Sequence, residues 1–427
     1  MSPPLRVLHV NTYDLEGGAA RAAHRIHNAL RGIGVDSHML VLNRREHAPH
    51  VLQPLSQGRR ATHRVKLAVS ARLMARQHTP SNPTLHSLNY FSSGLADWIN
   101  GSDFDIVNLH WLGGEMLSVE EIGRIRKPIC WTMHDMWPFS GAEHYDDLDY
   151  PGRYRQIYEE RSRPPSHSGL DLDAWVWRRK RKAWADQRFQ LISPSRWLAS
   201  CVGQSTLLQH HPCTVTPNCV DTEVFKPIDR ELARGILNLD PRKRYILFGA
   251  MSSTSDRRKG FHLLEPALQQ LAAQPEIKKD TELLVFGASA PSSRTPPDFG
   301  LPTNYLGSFY DDVSLCLLYS AADVFVAPSI QDNLPNTLVE SLACGTPCVA
   351  FSLGGMIDLV QDQVTGHLAD SGSFQSLTAK LTLALNSPLD RSHARQKTLR
   401  DYGSLSVAEL YQNTYLNLLS HSRARIT

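Results

Sequence analysis

No stretch of the 427 residues approaches the run of about 18 apolar residues that a membrane-spanning helix needs. The seven cysteines are scattered and odd in number, with no CxxC pair and no Cys/His spacing of a zinc site. That excludes a disulfide framework and a structural zinc, and it fits a reducing compartment. A net charge of +3 is too small to argue for nucleic acid. The opening MSPPLRVLHV enters a short apolar strand with neither a long apolar segment nor a small-residue cleavage site, so no signal peptide and a cytoplasmic location are expected. What remains is an ordinary globular composition, 41% apolar and 20% charged, on a chain long enough for two or three domains.

Acids are absent locally as well. From His47 to Ala96 there is no Asp or Glu, while Arg59, Arg60, Arg64, Lys66, Arg72 and Arg76 are present. On a helix over about 59–76, Arg60, Arg64, Arg72 and Arg76 share one side, and Val65, Leu67, Val69, Leu73 and Met74 the other. Two readings stand: an amphipathic helix with a solvated basic face, or a peripheral contact with anionic membrane or a lipid-linked acceptor. The RRKRK run, Arg178 to Lys182, reads as a solvated helix face.

The first half alternates strand and helix signals. Leu5–Val10 reads as a strand, Gly17-Gly18 opens a helix to about Leu30, and Asp105–His110, Ile129–Met133 and Phe189–Ile192 are short apolar runs ending in polar residues. This is the pattern of a parallel, doubly wound α/β sheet. A polar segment from Gly141 to about Leu172 reads as an inserted loop region. Its DLD strings, Asp147-Leu148-Asp149 and Asp171-Leu172-Asp173, are read as loop chemistry without a metal. After Pro217 the pattern restarts: a strand Tyr245–Ala250, a helix Gly260 to about Leu271, a strand Glu282–Phe286, a helix Val313–Tyr319 and a strand Val324–Ala327.

Then comes DNLPNTLVESLACGTPCVAFSLGG, from Asp332. Asp332 and Glu340 bracket a loop, Asn333 to Asn336, and the start of a helix at Thr337. Gly345-Thr346-Pro347 stops that helix before a strand at Cys348. A turn opening a helix directly after an apolar strand leaves N–H groups unpaired where the helix dipole favours an anion. Two carboxylates beside a phosphate site need another task, and hydrogen bonds from sugar hydroxyls supply one. The combination suggests a nucleotide-sugar site.

This stretch resembles the E-x7-E donor-binding motif of retaining family 4 glycosyltransferases, with Asp332, one methylene shorter, where that family usually has Glu. Asp105–Trp111 (DIVNLHW) and Trp131–Phe139 (WTMHDMWPF) resemble the branch that includes colanic-acid-type exopolysaccharide transferases, and Pro217-Asn218-Cys219-Val220-Asp221 resembles the linker between the family's two domains. The resemblance implies a GT-B fold of two Rossmann-like domains facing a central cleft: an acceptor-side domain over 1–217, a donor domain over 218–403, and a helix within 404–427 crossing back to the first.

It also implies roles. Glu340 would accept hydrogen bonds from the ribose, and Asp332 would face the hydroxyls of the donor sugar. Asn333, Leu334, Asn336, Thr337 and Leu338 would cradle the sugar and diphosphate with backbone N–H groups, Asn336 being a helix-cap candidate as well. Lys259, in RRKGF, would hold the diphosphate, with Arg257 preferred over Arg258 for the arginine that the family places directly after the strand, here Gly249-Ala250. Gly17 and Gly18 let the backbone approach the donor phosphates. His134 would touch the donor sugar, Asp135 would orient it or bind acceptor, and His110 and Trp111 would line the acceptor side. His134, Asp332 and Lys259 are the candidate catalytic residues.

The expected function is retaining, metal-independent transfer of a sugar from a nucleoside diphosphate sugar to a glycan or lipid-linked glycan, in surface polysaccharide synthesis, with no cofactor and no nucleic-acid partner. The alternatives are a non-catalytic scaffold that binds nucleotide sugar or glycan, and a sugar-nucleotide epimerase on the same fold.

Overall fold

The computed structural model describes residues 4–45, 47–54, 57–249, 256–287, 297–309 and 311–423. The chain forms two compact units, Met1–Asn218 with Val407–Thr427, and Cys219–Ser406.

The first unit is built on a seven-stranded parallel sheet in the order Val51–Leu52, Asp36–Asn43, Arg6–Tyr13, Ile106–Leu109, Ile129–Thr132, Phe189–Ser193, Cys213–Val215. The sheet grows outward from its first strand, Arg6–Tyr13, to one side and then the other. That reversal creates a switch point between Arg6–Tyr13 and Ile106–Leu109, and in open α/β sheets ligands bind beyond the carboxyl ends of the strands at such a point. The C-terminal helix Ser404–Arg423 brings Tyr415 and Tyr411 into this unit: Asn108 donates to the Tyr415 hydroxyl at 2.7 Å, and the Thr132 and Tyr411 hydroxyls lie 3.4 Å apart.

The second unit repeats the plan with six parallel strands, in the order Thr303–Tyr305, Thr281–Phe286, Arg244–Gly249, Val324–Ala327, Cys348–Phe351, Gly366–Ala369. Its central strands Val324–Ala327 and Cys348–Phe351 are buried on both faces, which is why they read as unbroken apolar runs rather than alternating ones. Tyr245 and Leu247 enter one core; Ile246 and Phe248 enter the other. The switch point lies between Arg244–Gly249 and Val324–Ala327. The expected strand end at Ala250 falls outside the described residues.

Several expectations are corrected here. The basic helix spans Gln57–Met74, and its apolar residues form the buried side only in part: Leu73 and Met74 pack against the core, whereas Val65 is 64% exposed, and Leu67 and Val69 are also exposed. Ser70 is buried and His63, Lys66, Leu73 and Met74 are half-buried, a face turned away from the one that apolarity alone would choose. The side chains of Arg59 and Arg60 lie outside the described residues. The RRKRK run is not wholly solvated. Lys180 is fully buried, donating to the carbonyls of Trp137, Ser140 and Gly141, with its ammonium 3.7 Å from the centre of the Trp137 ring. Arg179 donates to the carbonyls of Leu88 and Asn89 and to Glu120.

The DLD strings, read as loop chemistry, anchor the segment they lie in. Asp147 and Asp173 are buried; Asp147 pairs with His167 at 3.1 Å and accepts from Ser81, and Asp171 accepts from Arg153. The polar segment around them folds through short 3-10 turns at Arg153–Arg155 and Glu160–Ser162.

Candidate functional site

In the second unit the two loops at the switch point are tied to each other. Ile330 N donates to the Arg258 carbonyl at 2.8 Å, and the Arg258 guanidinium donates to the Gln331 carbonyl and pairs with Asp256. Arg258 is therefore a buried structural brace, while Arg257 is exposed. Gly260 has φ +69°, and a Cβ there would stand 1.8 Å from the Pro328 carbonyl oxygen, so the two loops meet only because this residue is glycine.

That contact sets Lys259 against Asp332. Lys259 Nζ lies 2.5 Å from Asp332 Oδ2, and Oδ1 accepts from Asn333 N at 3.0 Å. Burial alone would raise the Asp332 carboxyl. The charges of Lys259 and Arg258 and the hydrogen bonds from Lys259 and Asn333 outweigh it and hold the group below the usual carboxylate range.

The helix Asn336–Ala343 starts beside this pair. Its N-cap is Pro335, so Asn336 is the first helical residue rather than the cap, and no side chain caps the helix. The helix Phe261–Ala272 likewise begins at Gly260 without a capping side chain, and in the first unit Gly18–Gly32 begins at Gly17 in the same way. Away from the switch points, Ser195, Asp229, Asp311 and Ser373 each cap their helices. Helix starts without a capping side chain, at the place where an α/β sheet binds ligands, are suited to an anion. Gly17 has φ +90°, and among the described residues no atom beyond its chain neighbours lies within 4 Å of where its Cβ would be, which suits a backbone that approaches a ligand.

Asn333, Leu334, Thr337 and Leu338 all lie on this turn or first helical turn; Leu338 N donates to the Pro335 carbonyl. Glu340 is buried, and one of its carboxylate oxygens accepts from the Tyr319 hydroxyl at 3.0 Å. Sequence reasoning placed Tyr319 only at the end of a helix. Nothing in an apolar helical stretch signals which tyrosine hydroxyl reaches across to a neighbouring helix.

In the first unit three adjacent strands bring three histidines together, His9 within its strand and His110 and His134 just past the ends of theirs. His9 Nδ1 lies 2.8 Å from His110 Nε2, and His110 Nδ1 lies 2.9 Å from His134 Nε2. The register explains it. His9 pairs with Asn108, two residues before His110, and His110 N donates to the Val10 carbonyl. Burial drives His9 down to about 3 and His134 to about 4, with Asp135 opposing the latter, and burial beside His9 and His134 puts His110 well below its ordinary value. All three rings are neutral at pH 7.

His110 is therefore an inner link and not an acceptor-lining residue, because only 2% of it is exposed. The Asp135 carboxylate pairs with His144 at 2.6 Å and accepts from Trp137 N, rather than orienting His134 by a hydrogen bond. Trp111 is half-buried between Tyr13 and His144. The structure thus joins Lys259 with Asp332, and His134 with His110, and gives the Asp135 carboxylate to His144 while its charge still acts on His134. Among the described residues no cluster of three or more His, Cys, Asp or Glu is placed to hold a metal ion.

Comparison with known proteins meets this geometry. Residues 16–224 match the model of Glycosyltransferase Family 4, and residues 242–387 match that of Glycosyl transferases group 1. The chain belongs to the family 4 glycosyltransferases. A D-inositol 3-phosphate glycosyltransferase of Segniliparus rotundus is 32% identical over 226 residues, which are 50% of this chain and 47% of the relative. One of Mycobacterium sp. (strain KMS) is 33% identical over 160 residues, 35% of this chain and 34% of that one. The chain thus spans half or less of the length of these relatives.

Among solved structures, sucrose-phosphate synthase from Thermosynechococcus elongatus superposes with a TM-score of 0.66 at 16% identity, covering 98% of this chain and 100% of the other. Anabaena HepE in complex with UDP and glucose does so with a TM-score of 0.62 at 15% identity, covering 96% and 99%. Both carry the fold, and this family 4 chain has the Rossmann-like GT-B architecture.

Proposed function

We propose that this chain transfers a sugar from a nucleoside diphosphate sugar to a glycan or lipid-linked glycan, with retention of configuration and without a metal ion. The observation that carries the reading is the second unit's switch point. There a helix start without a capping side chain, the Lys259 ammonium and the Asp332 carboxylate converge on one turn. The amides and Lys259 suit a diphosphate that gains charge as the glycosyl bond breaks, and Asp332 suits sugar hydroxyls. The UDP and glucose bound by HepE support the donor class, and the names of the curated relatives support glycosyl transfer.

In the proposed step the bond between the anomeric carbon and the leaving phosphate oxygen breaks. The acceptor oxygen bonds to that carbon on the same face, and the leaving phosphate oxygen takes the acceptor proton. The products are a nucleoside diphosphate and the extended acceptor. Surface polysaccharide synthesis is the setting suggested by the strings at Asp105–Trp111 and Trp131–Phe139. Contact with an anionic membrane is supported by exposed Val65 and Val69 on the same helix as Arg64 and Arg72. No described helix is long and apolar enough to cross a membrane.

A screen of UDP-, GDP- and ADP-sugars in the presence of EDTA, scoring binding and slow donor hydrolysis, tests the reading. One donor should bind regardless of EDTA and lose affinity in Glu340→Ala. Binding of nucleotide without any turnover would favour a scaffold, release of an epimerised sugar would favour an epimerase, and loss of turnover on chelation would refute metal independence.

A further inference from the structure

The helix Asn336–Ala343 ends in a contact that the proposed reaction does not use. Cys344, its C-cap, sets its Sγ 3.7 Å from the Sγ of Cys316 in the helix Asp312–Ala321. Both cysteines are free, and both are buried, Cys344 at 0% and Cys316 at 2% exposure. At that distance the two thiols touch and no bond joins them.

The same two helices meet again one turn away. Tyr319 lies three residues after Cys316, and Glu340 four residues before Cys344, so each pair shares a helix face. The Tyr319 hydroxyl donates to Glu340 at 3.0 Å. The helices are tied at two successive rungs, one of sulfur and one of hydroxyl and carboxylate. Packing does not require sulfur at the first rung, because other small apolar side chains fill a core as well. What sets a cysteine pair apart is its reactivity. A disulfide needs its sulfurs about 2.0 Å apart. Closing the present gap turns both side chains and fixes the spacing of the helices at that rung. In a close-packed core the neighbouring rung, Tyr319 with Glu340, is constrained with it.

We infer that Cys316 and Cys344 are a reversible oxidation site: a hydroperoxide joins them in a disulfide that links the two helices and weakens the hold of Glu340 on the donor nucleotide. The effect on the donor rests on the reading of Glu340 under the proposed function. Burial selects a small oxidant such as hydrogen peroxide over a bulky disulfide. One sulfur attacks a peroxide oxygen, the O–O bond breaks, and a sulfenic acid and a water form. The second sulfur attacks the first, the S–O bond breaks, and the hydroxyl leaves with the second thiol's proton as another water. Two thiols and one hydrogen peroxide give one disulfide and two waters. Exchange with a small thiol, itself oxidised to a disulfide, returns both cysteines. A disulfide of this kind is transient in a reducing compartment.

The full chain is treated with hydrogen peroxide, its remaining thiols are blocked, and it is digested without reductant for peptide mapping by mass spectrometry. The wild type should yield a peptide linking Cys316 to Cys344, lighter by two hydrogens than its parts and split by dithiothreitol. Cys316→Ser should yield none. The affinity for whichever UDP-, GDP- or ADP-sugar the reduced protein binds should fall about tenfold on oxidation, as for one disturbed hydrogen bond to a charged group. It should return with dithiothreitol, and peroxide should leave it unchanged in Cys316→Ser. The absence of the linked peptide from folded, peroxide-treated wild type, which needs no variant to observe, would overturn the proposal. A linked peptide with unchanged donor affinity would overturn the coupling to Glu340. If the linked peptide forms while the reduced wild type binds no nucleotide sugar, the oxidation site stands and the transferase reading fails.

Discussion

Replacing Lys259 by Met separates its two tasks. In the folded protein Lys259 Nζ lies 2.5 Å from Asp332, with side chains 32% and 11% exposed. Breaking a fully buried pair costs about 3–5 kcal/mol. Here the Lys259 side chain is partly exposed, so its charge is already screened, and Asp332 keeps Asn333 N and the nearby Arg258 charge. About 1–2 kcal/mol is therefore expected, a fall in Tm of roughly 3–6 °C. Turnover should fall much further, by about 100- to 1,000-fold, the usual loss when one fixed group that stabilises transition-state charge is removed.

Asp332→Asn alone should cost similar stability. The double variant Lys259→Met/Asp332→Asn leaves no unpaired charge and should regain most of the stability of the single variants. It should not regain turnover, because the diphosphate still lacks its cation. Thermal unfolding and donor hydrolysis on the same four proteins measure both quantities. Recovery of turnover together with stability in the double variant would refute the argument, since it would make Lys259 only the counter-ion of Asp332.

Two further outcomes are expected. Lys180→Met keeps the length of the side chain but strands the carbonyls of Trp137, Ser140 and Gly141, and should lower unfolding free energy by about 3 kcal/mol in denaturant titration; a loss under about 0.5 kcal/mol would mean the ammonium is solvated after all. His9, lowered from 6.5 to about 3, stays neutral in the fold while the unfolded chain takes up a proton below pH 6.5, so it contributes stability above that pH that is lost as pH falls toward 3. The folding free energy should therefore drop by up to about 1 kcal/mol per pH unit more steeply in the wild type than in His9→Phe; parallel pH profiles would contradict the burial of that ring.

Much of the architecture was legible because its causes are local. Strands buried on both faces read as apolar runs, so Ile129–Thr132 and Val324–Ala327 stood out, while Asp36–Asn43, which starts with polar residues, did not. The turn around Asp332 was legible from strand, turn and helix start in direct succession, with an acid at each end of the window. Helix periodicity misjudged Gln57–Met74, because apolar spacing reports which side could be buried and not which side meets a neighbour. A charge run likewise concealed Lys180, whose partners lie about 40 residues earlier in the chain.

By itself, then, the sequence determined the two α/β units, the turn that holds Asp332 beside a helix start, and the glycines at 17 and 260 that such turns require. The tertiary structure alone decided that Lys259 faces Asp332, that Tyr319 holds Glu340, that Asp135 serves His144, and that His9 reaches His134 through His110. The longest of these contacts depend on strand order and register, which bring together residues as far as 101 positions apart. Local periodicity carries no term for such distances, whereas a parallel sheet fixes them once its strands are paired.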